Sequence, residues 1–83
     1  MDEVKITAHC RKQMAERKIA EKSVKTGLKD ADKVIFQDKH RFRAVKKVRR
    51  LKKNYCIVIV FDQFPNLKEV VTVFYTSKIH KYL

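Results

Sequence analysis

The longest unbroken apolar run in the chain is Tyr55-Cys56-Ile57-Val58-Ile59-Val60-Phe61, closed by Asp62. Side chains alternate between the two faces of a strand, so apolar residues at odd and even positions alike predict a strand covered on both sides. That is the pattern of the central strand of a small sheet, and the run is far shorter than the about 20 residues of a membrane span. Phe64-Pro65-Asn66-Leu67 then predicts a turn, because Pro fixes φ and Asn tolerates turn geometry. A second strand is expected from Glu69 to Tyr75. The short connection between the two implies an antiparallel hairpin.

Upstream, Val4 to Thr7 reads as a short strand or an extended lead-in. Thr7 is a suitable N-cap for a helix from Ala8 to about Arg17, with Cys10 and Met14 on its apolar face and Arg11, Lys12 and Glu16 on the other. Lys18-Ile19-Ala20 breaks that pattern. A second helix is predicted from Ala20 or Glu21, with Ala20, Val24 and Leu28 inward and Glu21 placed where the helix dipole favours an acid. Gly27 falls near its end and weakens the last turn. From Ala31 the period changes to that of strands: Lys33 to Gln37, a turn at Asp38-Lys39-His40, then Arg41 to Lys46. In this last strand Phe42 and Ala44 share one face, Arg41 and Arg43 the other. The cationic stretch from Lys47 to Lys53, interrupted by Val48 and Leu51, either extends the strand or forms the loop of a long hairpin. The expected architecture is α+β: two N-terminal helices packed on one face of a four-stranded antiparallel meander, with the opposite face partly open.

The chain of 83 residues suits one domain, and a hydrophobic content of 45% suits a folded one. Charge changes the picture more. Twenty-one Lys and Arg against 9 acids give a formal net charge of +12, which favours polyanions and above all nucleic acid as partners. Met1-Asp2-Glu3-Val4-Lys5 opens with acids and has no apolar run of the signal-peptide kind, so a cytoplasmic location is expected and no membrane association. In that compartment Cys10 and Cys56 read as reduced, buried thiols.

The candidate chemistry is that of cations, histidines and tyrosines. His9, His40 and His80 lack ligand-like spacing, so no metal and no cofactor are expected. One glycine rules out a Gly-rich phosphate loop, and Asp30 and Asp32 lie beside lysines in a loop, a poor setting for paired carboxylate catalysis. What remains suits metal-free RNA cleavage, in which the ribose 2′-hydroxyl needs a base, the leaving oxygen an acid, and the transition state cations. His9, in the first turn of a helix, is a candidate acid or base, and equally a capping or packing residue. Arg17 stands eight residues on, about 12 Å along a helix axis, and suits either the dipole or a shared groove. Arg41, Arg43 and Lys46 are candidate phosphate contacts. The C-terminal stretch interleaves Tyr75, Lys78, His80 and Tyr82 with cations, as ribonucleotide-binding surfaces do, and Ile79 and Leu83 are spaced for a final helical turn or docking tail.

Ile6-Thr7-x-His9, Arg17-x-Ile19 with Val24 and Leu28, Arg41-Phe42-Arg43-Ala44 and Val70 to Tyr75 together resemble a small domain-of-unknown-function family grouped with the RelE/ParE and BrnT type toxins. The ending Thr76 to Leu83 is similar to that of archaeal members, while Ala20 departs from the Ser or Thr that usually caps the second helix. The resemblance covers nearly the whole chain. It implies a RelE-like fold of two helices on an antiparallel sheet, RNA cleavage without metal, and an antitoxin partner, for which an acidic protein would suit the +12 charge. The leading expectation is therefore a metal-independent endoribonuclease of toxin type acting on RNA, free or on the ribosome. His9, Arg17 and Lys78 would be catalytic, with Arg41, Arg43, Lys46, Tyr75, His80 and Tyr82 binding the nucleic acid. A non-catalytic RNA- or DNA-binding module and a basic protein for an acidic partner stay open beside it, as does homo-oligomerisation.

Overall fold

The computed structural model describes residues 2–83. Strand β1 (Glu3–Ile6) leads into helices α1 (Ala8–Arg17) and α2 (Glu21–Lys29), followed by β2 (Lys33–Asp38), β3 (Arg41–Arg50), β4 (Lys53–Phe64), β5 (Leu67–Thr76) and a terminal helical turn, α3 (Ile79–Tyr82). The α+β class and the β2–β5 meander follow the sequence pattern. Two features differ from it. The sheet has five strands in the order β1-β5-β4-β3-β2, and β1 runs parallel to β5 while the other pairs are antiparallel. Glu3-Val4-Lys5-Ile6 offers only two apolar residues, and its pairing partner is more than 60 residues away in sequence, beyond the reach of local pattern. The second difference is α3, which covers part of the sheet face expected to be open.

The helical segments are set by their ends. Thr7 Oγ1 accepts from the Cys10 backbone N–H at 3.1 Å, satisfying one of the orphan donors of α1. At the other end Lys18 takes the left-handed conformation (φ 55°), and the N–H groups of Lys18 and Ile19 donate to the carbonyls of Ala15 and Met14. This is a Schellman-type stop, completed by Met14 and Ile19, both buried. Ala20 makes no side-chain cap for α2.

Both longer helices lie on one face of the sheet. Cys10, Met14 and Val24 pack there with Ala44, Ile57, Ile59, Phe61, Val70 and Val73. Gly27 turns its backbone onto β4: an added Cβ would stand 2.5 Å from Ile59 Cδ1, so the missing side chain is what lets α2 approach. On the opposite face Val45, Cys56 and Val58 are covered by Phe74, Ile79, Tyr82 and Leu83. The run 56–59 is therefore buried from both sides, as its composition predicts. A register shift between Val60 and Phe61 leaves Val71 unopposed in β5, which brings Val70 and Val73, three apart, to the same covered face. At the β2 edge, Val34 (54%) and Phe36 (59%) remain exposed, with Phe36 set edge-on against Phe42.

Candidate functional site

The cationic stretch extends the strands. Arg50 pairs with Lys53, Arg49 with Asn54, Val48 with Tyr55 and Lys47 with Cys56. The neighbouring strands stop short of this: β2 begins at Lys33 opposite Val45, and β5 ends at Thr76 opposite Cys56. Beyond Lys47 and Cys56, β3 and β4 therefore project alone as a two-stranded ribbon, about 10 Å long at three residue pairs. Its loop is only Leu51-Lys52, with φ of 49° and 65°. Positive φ at both central residues is the type I′ geometry, in which Asn-Gly is the favoured sequence and Leu-Lys is strained. Leu51 stands 91% exposed at the tip.

Residues 46–53 carry six cations and no acid. Lys52 lies in the loop, and strand alternation divides the other five between two faces. Lys46, Arg50 and Lys53 face the side of α1 and α2, where Arg50 lies 4.2 Å over the Tyr75 ring. Lys47 and Arg49 face the side of α3. A groove opens at the ribbon base on each side. One, of about 220 Å³, is lined by Lys22, Ser23, Thr26, Lys46, Val48 and Tyr75 among others. The other, of about 460 Å³, is bordered by Lys47, Val48, Arg49, Asn54, Ile79 and His80. Two anchors hold the base: Lys46 Nζ donates to the Asp30 carbonyl at 3.2 Å, and the Lys47 backbone N–H to Asp32 Oδ2 at 2.7 Å. Like charges directly opposite, as at Arg50 and Lys53, repel.

The other sequence candidates are dispersed. His9 contacts Gln13 at 3.1 Å, and Gln13 Oε1 accepts from Thr72 Oγ1 on β5. Arg17 donates to the Val73 carbonyl at 2.7 Å, capping an acceptor of β5. Lys78 is exposed at the start of α3, across the sheet from α1, so His9, Arg17 and Lys78 do not form one cluster. Arg41 and Arg43 do share a face of β3, but each is engaged. Arg41 makes a bidentate pair with Asp62, at 2.8 and 3.0 Å. That contact holds the Asp62 carboxyl below the usual carboxylate range and raises the Arg41 guanidinium. Arg43 lies 5.2 Å over the Tyr82 ring, half-buried, with its Nε buried and making no hydrogen bond. Tyr75, His80 and Lys46 do reach the grooves. Lys22, Ser23, Thr26, Lys47, Arg49 and Asn54 join them, and the signal for Lys47 and Arg49 was the cationic stretch from Lys47 to Lys53.

Cys10 and Cys56 are buried free thiols on opposite sides of the sheet, and burial pushes both above the ordinary thiol range. Among the described residues no three His, Cys, Asp or Glu side chains are placed to hold a metal ion, and no helix is long and apolar enough to cross a membrane.

Fold and site together define a small, basic α+β domain whose charge is concentrated on a projecting β-ribbon. The family model described as domain of unknown function (DUF4258) matches residues 6–75, and the chain belongs to that family. No curated protein and no solved structure matches it.

Proposed function

We propose that this chain is a nucleic-acid-binding domain that grips phosphate backbones through the β3–β4 ribbon and the two grooves at its base. The observation that carries this reading is a run of six cations, without an acid, over residues 46–53: Arg49, Arg50, Lys52 and Lys53 on the ribbon that no neighbouring strand covers, and Lys46 and Lys47 at its base. None of these six side chains has a carboxylate partner among the described residues; the ion pairs there are Arg11–Glu21, Arg41–Asp62 and Lys68–Asp2. Such cations are available to displace counterions from a polyanion.

Fluorescence anisotropy with single-stranded RNA and with duplex DNA, across a salt series, tests this. If all six cations engage phosphates, log affinity falls by about 5 units per log unit of salt on duplex and about 4 on single strands. Charge reversal at Lys47, Arg49 and Lys53 together flattens that slope, whereas the same change at Lys5, Lys12 and Lys25 leaves it. Binding that ignores salt, or that survives the ribbon reversal intact, refutes the assignment.

A second reading has its own observation. His80 borders the groove that also holds Lys47, Arg49 and Asn54, so an imidazole stands beside two phosphate-binding cations. That set suits the metal-free RNA cleavage implied by the resemblance to the RelE/ParE and BrnT toxins, with an acidic antitoxin covering the same ribbon. In this version His80, not His9, is the acid or base. RNA incubated in EDTA and ending in 2′,3′-cyclic phosphates, with cleavage lost in His80→Ala and kept in His9→Ala, supports it; cleavage lost only in His9→Ala returns the site to α1.

A further inference from the structure

The ribbon carries cations on both of its faces and an apolar residue at its tip. A single strand laid over a surface needs cations on one face only. Cations on both faces fit a ligand with phosphates on two sides, and the groove of a duplex is such a ligand. The strands of a ribbon lie about 4.8 Å apart, and the B-form major groove, about 12 Å wide, admits a two-stranded ribbon. The A-form major groove of double-stranded RNA is deep and too narrow for side chains to read.

Resting on the nucleic-acid reading above, we infer that the β3–β4 ribbon inserts tip-first into the major groove of B-form duplex DNA, with Leu51 against the base edges. Lys46, Arg50 and Lys53 on one face and Lys47 and Arg49 on the other reach the two phosphate walls. Leu51 leads into the groove. It is 91% exposed, contributes nothing to the core, and sits in a conformation (φ 49°) that Asn or Gly would adopt with less strain. An isobutyl group offers no hydrogen bond, so it distinguishes no donor or acceptor pattern. The apolar feature on the groove floor is the 5-methyl group of thymine, and this is what Leu51 recognises. The arrangement gives affinity through phosphates and a preference for thymine-rich steps through one apolar contact.

The test is anisotropy with three probes of one sequence: a thymine-rich DNA duplex, the same duplex with deoxyuridine in place of thymine, and the corresponding RNA duplex. The protein is used unaltered and as Leu51→Asn, which suits the turn and keeps every cation. The unaltered protein binds the thymine duplex tightest, loses on the order of fourfold per contacted methyl in the deoxyuridine duplex, and binds the RNA duplex weakest. Leu51→Asn keeps the salt slope and loses the difference between thymine and deoxyuridine. Equal binding of those two duplexes by the unaltered protein overturns the inference, as does an undiminished difference in Leu51→Asn or RNA duplex bound as tightly as DNA. Salt-dependent binding of single-stranded RNA without duplex binding overturns it while leaving the proposed function standing. Absence of binding to every duplex and to single-stranded RNA overturns both.

Discussion

Replacing Leu51-Lys52 by Asn-Gly is expected to stabilise the protein, although it removes a leucine and a lysine and adds the chain's second glycine. Both residues hold positive φ, 49° and 65°, in a two-residue loop. A left-handed conformation costs a residue with a Cβ about 1–2 kcal/mol, and Asn and Gly escape much or all of this. Against the gain stands the backbone freedom glycine returns to the unfolded chain, about 0.5–1 kcal/mol. Packing adds nothing on either side, since Leu51 is 91% exposed. The net gain is about 1–2 kcal/mol. For a domain of this size that raises Tm by about 5–15 °C. Urea denaturation is the assay, because guanidinium would also screen the repulsion within a +12 chain. The midpoint rises while m stays constant. Lys52→Ala separates strain from charge: it removes the same cation, keeps a Cβ at φ 65°, and gains little. If Asn-Gly is no more stable than the natural turn, or if Lys52→Ala gains as much, the strain argument fails.

Lys18→Gly, at the left-handed stop of α1, is expected to add about 1 kcal/mol by thermal or urea melts, because the Schellman hydrogen bonds are already in place. Gly27→Val goes the other way, by about 2–3 kcal/mol in urea, since its Cβ meets Ile59 Cδ1 in a filled core. The Arg41–Asp62 pair predicts a pH dependence. Because the folded carboxyl lies below its unfolded value, the contribution is complete above about pH 4 and is lost as pH falls through the folded value. Asp62→Asn should lose on the order of 1 kcal/mol at neutral pH and flatten the acid limb of a stability–pH curve.

Much of the fold was legible because local pattern and tertiary environment agree. The 56–59 run is covered on both faces, Thr7 does cap α1, and alternation at Arg41-Phe42-Arg43-Ala44 sorts side chains to the correct faces. Where the reading fell short, the deciding interaction was remote or disguised. The pairing of β1 spans most of the chain. The tip of the ribbon was hidden because a tight hairpin normally announces itself with Asn or Gly, and Leu51-Lys52 does neither. The site followed the same division. Alternation could place Arg41 and Arg43 on one face but could not show that Asp62 holds one and Tyr82 lies against the other. A count of unpaired charge, taken along residues 46–53 instead of by strand face, points to the ribbon.

Three properties of the ribbon end each oppose stability, and they coincide. Its loop is strained at both residues. Arg50 stands opposite Lys53. Among the described residues the six cations of 46–53 lack carboxylate partners, while Asp2, Glu3, Asp38, Asp62 and Glu69 gather by register at the far end of the sheet. An acid at one ribbon position, or an Asn-Gly loop, would relieve these conflicts without touching the core. Elsewhere acids are set against cations or backbone donors: Asp32 anchors the Lys47 backbone, Asp62 pairs Arg41, and Asp2 pairs Lys68. Local rules broken together at one exposed place are what the proposed binding role of the ribbon would account for. With five of its nine acids at the end away from the ribbon, a molecule with extents of 38 × 25 × 21 Å also has a directional field. Under the proposed function, that field turns the ribbon toward an approaching polyanion. Arg41 is paired with Asp62 and Arg43 lies half-buried against Tyr82, so on the proposed reading it is the ribbon, and not that part of the sheet face, that offers exposed charge to a phosphate backbone.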